Sequence, residues 1–382
     1  MKLSLIGPVY PYRGGIAHYT ASLAEALSKK HTVQVISFKR QYPSWLYPGK
    51  SDRDPSQTPI ETNAEFILDP ILPQTWRRGA VQIQEHKSEG AIIQWWTTFW
   101  GPAFGFLVCS LRRRSIPVVF LIHNVLPHEG RPWDPFLVRS VLSQGSGFIV
   151  QSSRELDRLK ALLPESKAFV CPHPVYNVFS NQKIEKKEAR RRLGISENEP
   201  LLLFFGIVRP YKGLQPLLNA VAMLKNAGKP VTLIVAGEIW GDRQAYNESV
   251  QKFHLEKQVR FEDRYIPNEE VPLYFSAADA FVAPYIDGTQ SGALKIALGF
   301  DVPVVASQAI VESELVNQYE KLYVVEPGNV EQLARAILTG IEKAPQTKSE
   351  HDQPRSTTWE DMVETIEIAL RFEANSKEQR LG

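Results

Sequence analysis

Two fixed cations stand three residues apart in Gly206-Ile207-Val208-Arg209-Pro210-Tyr211-Lys212-Gly213, between an apolar run and a segment of helical period. Arginine holds a phosphate through two parallel hydrogen bonds, lysine holds it as a point charge, and the amides of a helix start add oriented donors. The combination suits a pyrophosphate, while composition alone favours two solvated surface charges. The run is neither the dinucleotide fingerprint G-x-G-x-x-G nor a P-loop, in which lysine follows the second glycine. A second glycine-marked turn, Tyr12-Arg13-Gly14-Gly15-Ile16-Ala17-His18, follows the first apolar run. Its paired glycines let backbone approach a ligand and let the next helix start face an anion. A tight turn with no ligand reads equally well.

The elements that must hold these turns alternate: short apolar runs bounded by Gly, Pro or Asn, each followed by a segment of helical period. In the first half the expected strands are Lys2 to Ile6, Val33 to Phe38, Ala91 to Trp95, Pro117 to Ile122, Gly147 to Val150 and Ala168 to Cys171. In the second they are Leu201 to Phe205, Val231 to Ala236, Val259 to Glu262, Ala280 to Ala283, Pro303 to Ala306 and Leu322 to Val325. Near-continuous apolar strands suit sheets covered by helices on both faces, so the expected class is α/β with two doubly wound domains. A length of 382 residues agrees with two domains. We place them at 1–180 and 181–357, with a C-terminal helix and tail at 358–382 that is free to close either one, including by crossing back to the first. The Pro-rich stretch from Gln41 to Thr62 reads as an exposed loop.

Composition narrows the function. Lys and Arg total 44 and Asp and Glu 42, a net charge of +2, so no long-range field points to nucleic acid. Cys109 and Cys171 lie in apolar stretches without metal-type spacing; both read as buried thiols, and no metal site is expected. The chain passes from Met1-Lys2 straight into Leu3-Ser4-Leu5-Ile6 without a secretory pattern, which points to the cytoplasm. The uncharged stretch Ala91 to Leu111 contains Gln94, Thr97, Thr98 and Gly101-Pro102, so it reads as a strand, a loop and a helix, not a membrane span.

The run Gly206 to Gly213 resembles the phosphate-binding turn of the large retaining glycosyltransferase family 4, whose GT-B fold sets two Rossmann-like domains facing a central cleft. Three further stretches match that family's patterns in order: Gly14-Gly15, Ile122-His123-Asn124-Val125-Leu126-Pro127-His128-Glu129, and Pro284-Tyr285 to Gly292 leading to Pro303-Val304-Val305. The resemblance spans nearly the whole chain. It implies that Arg209 and Lys212 hold the donor's phosphates, and that Thr289-Gln290-Ser291-Gly292 adds donors to the same leaving group, where developing negative charge needs preorganised cations and amides. It also implies that His123, at the end of an apolar strand, contacts the donor sugar near the reacting centre, although a lone strand-end histidine is more often structural. The family's E-x(7)-E positions fall here on Gly288 and Ile296, neither of which can replace a carboxylate; Asp287, one residue before the first, is a partial substitute.

The resemblance thus implies a retaining hexosyltransferase that uses a UDP- or GDP-sugar, without a tightly bound cofactor or a metal, on a glycan, lipid-linked or small-molecule acceptor. A catalytically weakened partner subunit that binds nucleotide, and a nucleotide-sugar 2-epimerase, are the alternatives. Trp95, Trp96, Phe99 and Trp100 read as core packing before acceptor pocket. Arg112-Arg113-Arg114 suits the C-terminal dipole of an apolar helix, with weak contact to anionic lipid at the inner face of the membrane as the alternative. Arg190-Arg191-Arg192, beside Glu185 and Glu188, reads as a solvated helix face.

Overall fold

The computed structural model describes residues 1–47, 49–127, 130–288, 291–312, 315–316, 319–342 and 357–381. They form two compact units, each built on one parallel sheet. The first comprises Met1–Asp54, Pro59–Pro174 and the chain from Thr357; the second comprises Pro55–Thr58 and Val175–Ser356.

The first sheet contains Lys2–Ile6 (β1), Thr32–Phe38 (β2), Glu65–Leu68 (β3), Gly90–Trp95 (β4), Val118–Ile122 (β5), Gly147–Val150 (β6) and Ala168–Val170 (β7). Their order is β3-β2-β1-β4-β5-β6-β7, all parallel. Parallel neighbours need crossovers, and helices supply them on both faces. In β5, Val118, Phe120 and Ile122 join one apolar cluster while Val119 and Leu121 join the other. This period of two, with both faces buried, explains why the strand reads as unbroken apolar sequence. The short edge strand β3 has no counterpart among the expected strands.

Three expectations need correction here. Gln41 to Thr62 is not simply an exposed loop: Tyr12 and Arg53 form an antiparallel bridge, Asp54 N donates to Pro11 O at 2.9 Å, and Gln41, Asp54 and Ser56 are buried. Cys109 is exposed, with Sγ donating to Gln144 Oε1 at 2.6 Å; only Cys171 is buried. Arg190 is buried and bonded to Asp279 and to four carbonyls, whereas Arg191 and Arg192 pair with Glu188 on the surface.

The helix Trp359–Leu381 packs in the first unit, where Met362, Val363, Ile366, Ala369 and Leu370 complete the cluster around Leu5, Leu23 and Ile149. The first unit ends at Pro174, because Tyr176 and Phe179 are buried in the second and Lys183 Nζ donates to Phe300 O.

The second sheet contains Leu201–Phe205 (β8), Thr232–Ala236 (β9), Val259–Glu262 (β10), Ala280–Ala283 (β11), Val304–Ser307 (β12) and Leu322–Val325 (β13), in the order β10-β9-β8-β11-β12-β13. In both sheets the order reverses beside the first strand. Open α/β sheets bind ligands beyond the strand ends at such a point.

Candidate active site

In the second unit three loops meet beyond β8, β9 and β11. The loop after β8 pairs with the loop after β9 through Val208 N to Glu238 O and Trp240 N to Val208 O. The loop after β11 joins them through Ile286 N to Tyr211 O at 2.7 Å. The approach is close enough to require glycine at 213, where φ is +75° and a Cβ would run into the carbonyl of Pro284.

On this frame Arg209 and Lys212 stand together. The Arg209 guanidinium lies 5.3 Å from the Trp240 ring centroid, and Lys212 Nζ lies 5.5 Å from that of Tyr285. Burial pushes the Lys212 ammonium below its ordinary pKa, the hydroxyl of Tyr211 pulls it back up, and the neighbouring Arg209 charge pushes it down again. Among the described residues no carboxylate pairs with Lys212. Two cations held together, one of them desolvated, favour an anion that would relieve both. Trp240 and Tyr285 had no assigned role in the sequence reading; aromatic residues after strands carry no pattern that separates such contacts from core.

The helix Gly292–Gly299 begins beside this frame. Ser291 caps it, its hydroxyl accepting from Leu294 N at 3.3 Å and lying 3.2 Å from Tyr285 Oη. Gly292 opens the helix, while Thr289 and Gln290 lie outside the described residues. Asp287 N approaches Tyr211 O, so the backbone of Asp287 belongs to the same frame. At Gly288 φ is +156°, and a Cβ would come within 2.7 Å of Ile310 Cγ2. Ile296 is 7% exposed. These two positions are therefore shaped for no side chain and for a core side chain. Next to Ile296, Lys295 forms a buried ion pair with Glu312 at 3.4 Å; a lone lysine in an apolar run gave no sign of that partner.

In the first unit Gly14 and Gly15 follow β1 and open the helix Gly15–Ser28, with no atom within 4 Å of a Cβ built at either. The loop carrying Tyr47 covers the preceding residue, Arg13 Nε donating to Tyr47 Oη at 3.0 Å. His123, one residue past β5, is 6% exposed. A chain of hydrogen bonds defines its tautomer. Thr20 donates to Ile16 O at 2.8 Å, and Gln94 Nε2 donates to Thr20 Oγ1 at 2.6 Å. Gln94 Oε1 must then accept from His123 Nε2 at 2.7 Å, which leaves Nδ1 as an acceptor in the neutral ring. Burial pulls the His123 pKa down to about 3, so the ring is neutral at physiological pH. Tyr19 packs edge-on at 4.9 Å from His123, His173 and Trp359. Gln94 and Thr20 were missed as partners of His123, since residues far apart in sequence meet only through strand register. His128 and Glu129 lie outside the described residues.

Trp95 and Trp100 are fully buried, while Trp96 and Phe99 are half-buried around Tyr42, with Trp96 Nε1 donating to Tyr42 Oη at 2.9 Å. Among the described residues no helix is long and apolar enough to cross a membrane.

Two Rossmann-like units, with glycine-marked turns at their switch points, give this chain the fold class of the GT-B glycosyltransferases. Residues 185–353 match the model of glycosyl transferases group 1 and residues 13–176 that of glycosyltransferase family 4, so the chain belongs to this family. The putative teichuronic acid biosynthesis glycosyltransferase TuaC of Bacillus subtilis (strain 168) is 27% identical over 284 residues, 72% of this chain and 66% of that protein. The 2-deoxystreptamine glucosyltransferase of Streptomyces kanamyceticus is 28% identical over 155 residues, 40% of this chain and 39% of that protein. The matched stretches span less than two thirds of these relatives' own lengths. Among solved structures, Anabaena HepE in complex with UDP superposes with a TM-score of 0.67 at 17% identity, over 100% of this chain and 99% of that one. Sucrose-phosphate synthase from Thermosynechococcus elongatus gives 0.66 at 17% identity, over 100% and 98%. At these identities the structural likeness concerns the fold.

Proposed function

We propose that the chain transfers a hexose-type sugar, with retention, from a UDP- or GDP-sugar to a glycan, lipid-linked or small-molecule acceptor, working in the cytoplasm. The observation that carries this reading is the cation pair Arg209 and Lys212 in the turn after β8, with Lys212 buried against Tyr285. In the proposed reaction the bond from the anomeric carbon to the diphosphate breaks as one to an acceptor hydroxyl oxygen forms, and the hydroxyl proton passes to the departing diphosphate. Arg209, Lys212 and the run Thr289-Gln290-Ser291-Gly292 stabilise the departing charge. Gly14-Gly15 bring backbone to the ligand from the first unit, and His123 contacts the donor sugar near the reacting centre. UDP-, GDP- and ADP-hexoses are tested for protection against thermal unfolding, since a ligand that binds the folded state raises stability by mass action. Nucleoside diphosphate release is then followed with candidate acceptors. Protection by one nucleotide class and release dependent on an acceptor are expected; no protection by any nucleotide sugar rules the reading out.

A further inference from the structure

Among the buried polar side chains of the first unit, Gln151 stands apart. Gln151 follows the last residue of β6, is 1% exposed, and neither its Oε1 nor its Nε2 meets a hydrogen-bonding partner among the described residues. A buried amide with both halves unpaired costs stability, so its retention needs a reason.

Its place suggests one. In β6, Phe148 and Val150 belong to one apolar cluster and Ile149 to the other, so Gln151 continues the face of Ile149. In β5 the same count puts His123 on the face of Val119 and Leu121, and in β4 it puts Gln94 on the face of Ile92. Ile122 pairs with Val150, so His123 and Gln151 occupy the next, adjacent positions of neighbouring strands. Gln151 therefore stands beside a histidine whose orientation Gln94 and Thr20 hold. The named side chains of this patch, Gln94, Thr20, Tyr19 and a neutral His123, include no cation. A phosphate would use only the donor half of an amide and would find no cation here. A sugar ring, whose neighbouring hydroxyls each donate and accept, uses both halves.

We propose that Gln151 is a specificity-determining residue that reads neighbouring hydroxyls of a sugar ring lying against His123. The inference rests on the glycosyltransferase reading above and names its sugar-recognition contact. The sugar belongs to the donor or to the acceptor, and the test separates the two.

The variant is Gln151→Leu, with Gln151→Met as the unbranched alternative if the first does not fold. The probes are the UDP-, GDP- or ADP-hexose that best protects the wild type, and its bare nucleoside diphosphate. Thermal stability without ligand is expected to be unchanged or higher, because an unpaired amide has gone. Affinity for the bare diphosphate is expected to stay the same, and kcat/KM for transfer to fall at least tenfold. If the advantage of the nucleotide hexose over the bare diphosphate shrinks, Gln151 reads the transferred sugar; if only the KM for acceptor rises, it reads the acceptor. Transfer equal to wild type overturns the inference alone. So does a lowered melting temperature with activity falling only in step with the folded fraction, which would mark a structural amide bridged by water. A wild type that releases no diphosphate from any donor overturns the functional reading, and this inference with it.

Discussion

At the scale of single residues, the cation pair makes the most direct prediction. Replacing Arg209 or Lys212 by alanine should weaken nucleoside diphosphate binding by roughly 1.5 to 3 kcal/mol each, the worth of a charged hydrogen bond. Calorimetry with unchanged affinity in both variants would move the phosphate site elsewhere. Because burial lowers the Lys212 pKa from its usual 10.5, affinity should decline as pH rises through that lowered value and the positive charge is lost. Lys212→Arg, whose guanidinium stays charged, should keep its affinity over the same range. For His123 the sign is opposite to that of a histidine held in its charged form. The unfolded chain protonates it near 6.5 and the folded chain only near 3, so between those values the unfolded state binds more protons and stability falls as pH falls. Between pH 7 and pH 5 the wild type should therefore lose roughly 2 kcal/mol more than His123→Leu, measured by denaturant unfolding. Equal losses would contradict a neutral buried ring. His123→Ala should reduce turnover far more than nucleotide affinity, because the cation pair proposed to hold the phosphates is in the other unit.

At the scale of elements, the helix Gly292–Gly299 and the C-terminal helix are the informative ones. Ile296→Glu would put a carboxylate at a family position, but the side chain there is buried, so an unpaired charge enters the core. A clearly lowered melting temperature, without tighter nucleotide binding, is expected; tighter binding at unchanged stability would show that residue 296 faces the ligand. The position was recognisable from spacing, whereas its burial depends on the packing of the helix. Likewise the apolar period after Trp359 announced a helix, but not which unit it closes. Removing residues 357–382 exposes the face of Leu5, Leu23 and Ile149, and should leave the first unit unfolded by circular dichroism and proteolysis. A truncated chain that folds cooperatively would show that the helix is dispensable.

At the scale of the whole molecule, the question is whether the chain works alone. If the cation pair and the helix start carry most of the charge stabilisation, transfer should proceed despite Gly288 and Ile296 and should survive EDTA. Purified protein that binds a nucleotide sugar, yet releases no diphosphate with any acceptor extract, with or without metal, would favour the partner-subunit alternative.

What the residues determined by themselves is whatever depends on short range: apolar runs alternating with helical periods, the glycine-marked turns, and Arg209 and Lys212 within one run. These follow from local conformation and from spacing along the chain. Tertiary structure decided what depends on strand register and packing. It set Gln94 and Thr20 on His123, Trp240 under Arg209 and Tyr285 beside Lys212; it turned Cys109 outward and buried Arg190; and it left the amide of Gln151 unpaired. Cys109 and Arg190 lie on helices and are set by how those helices pack, whereas for a strand side chain a one-residue shift of register would turn it to the opposite face of its sheet.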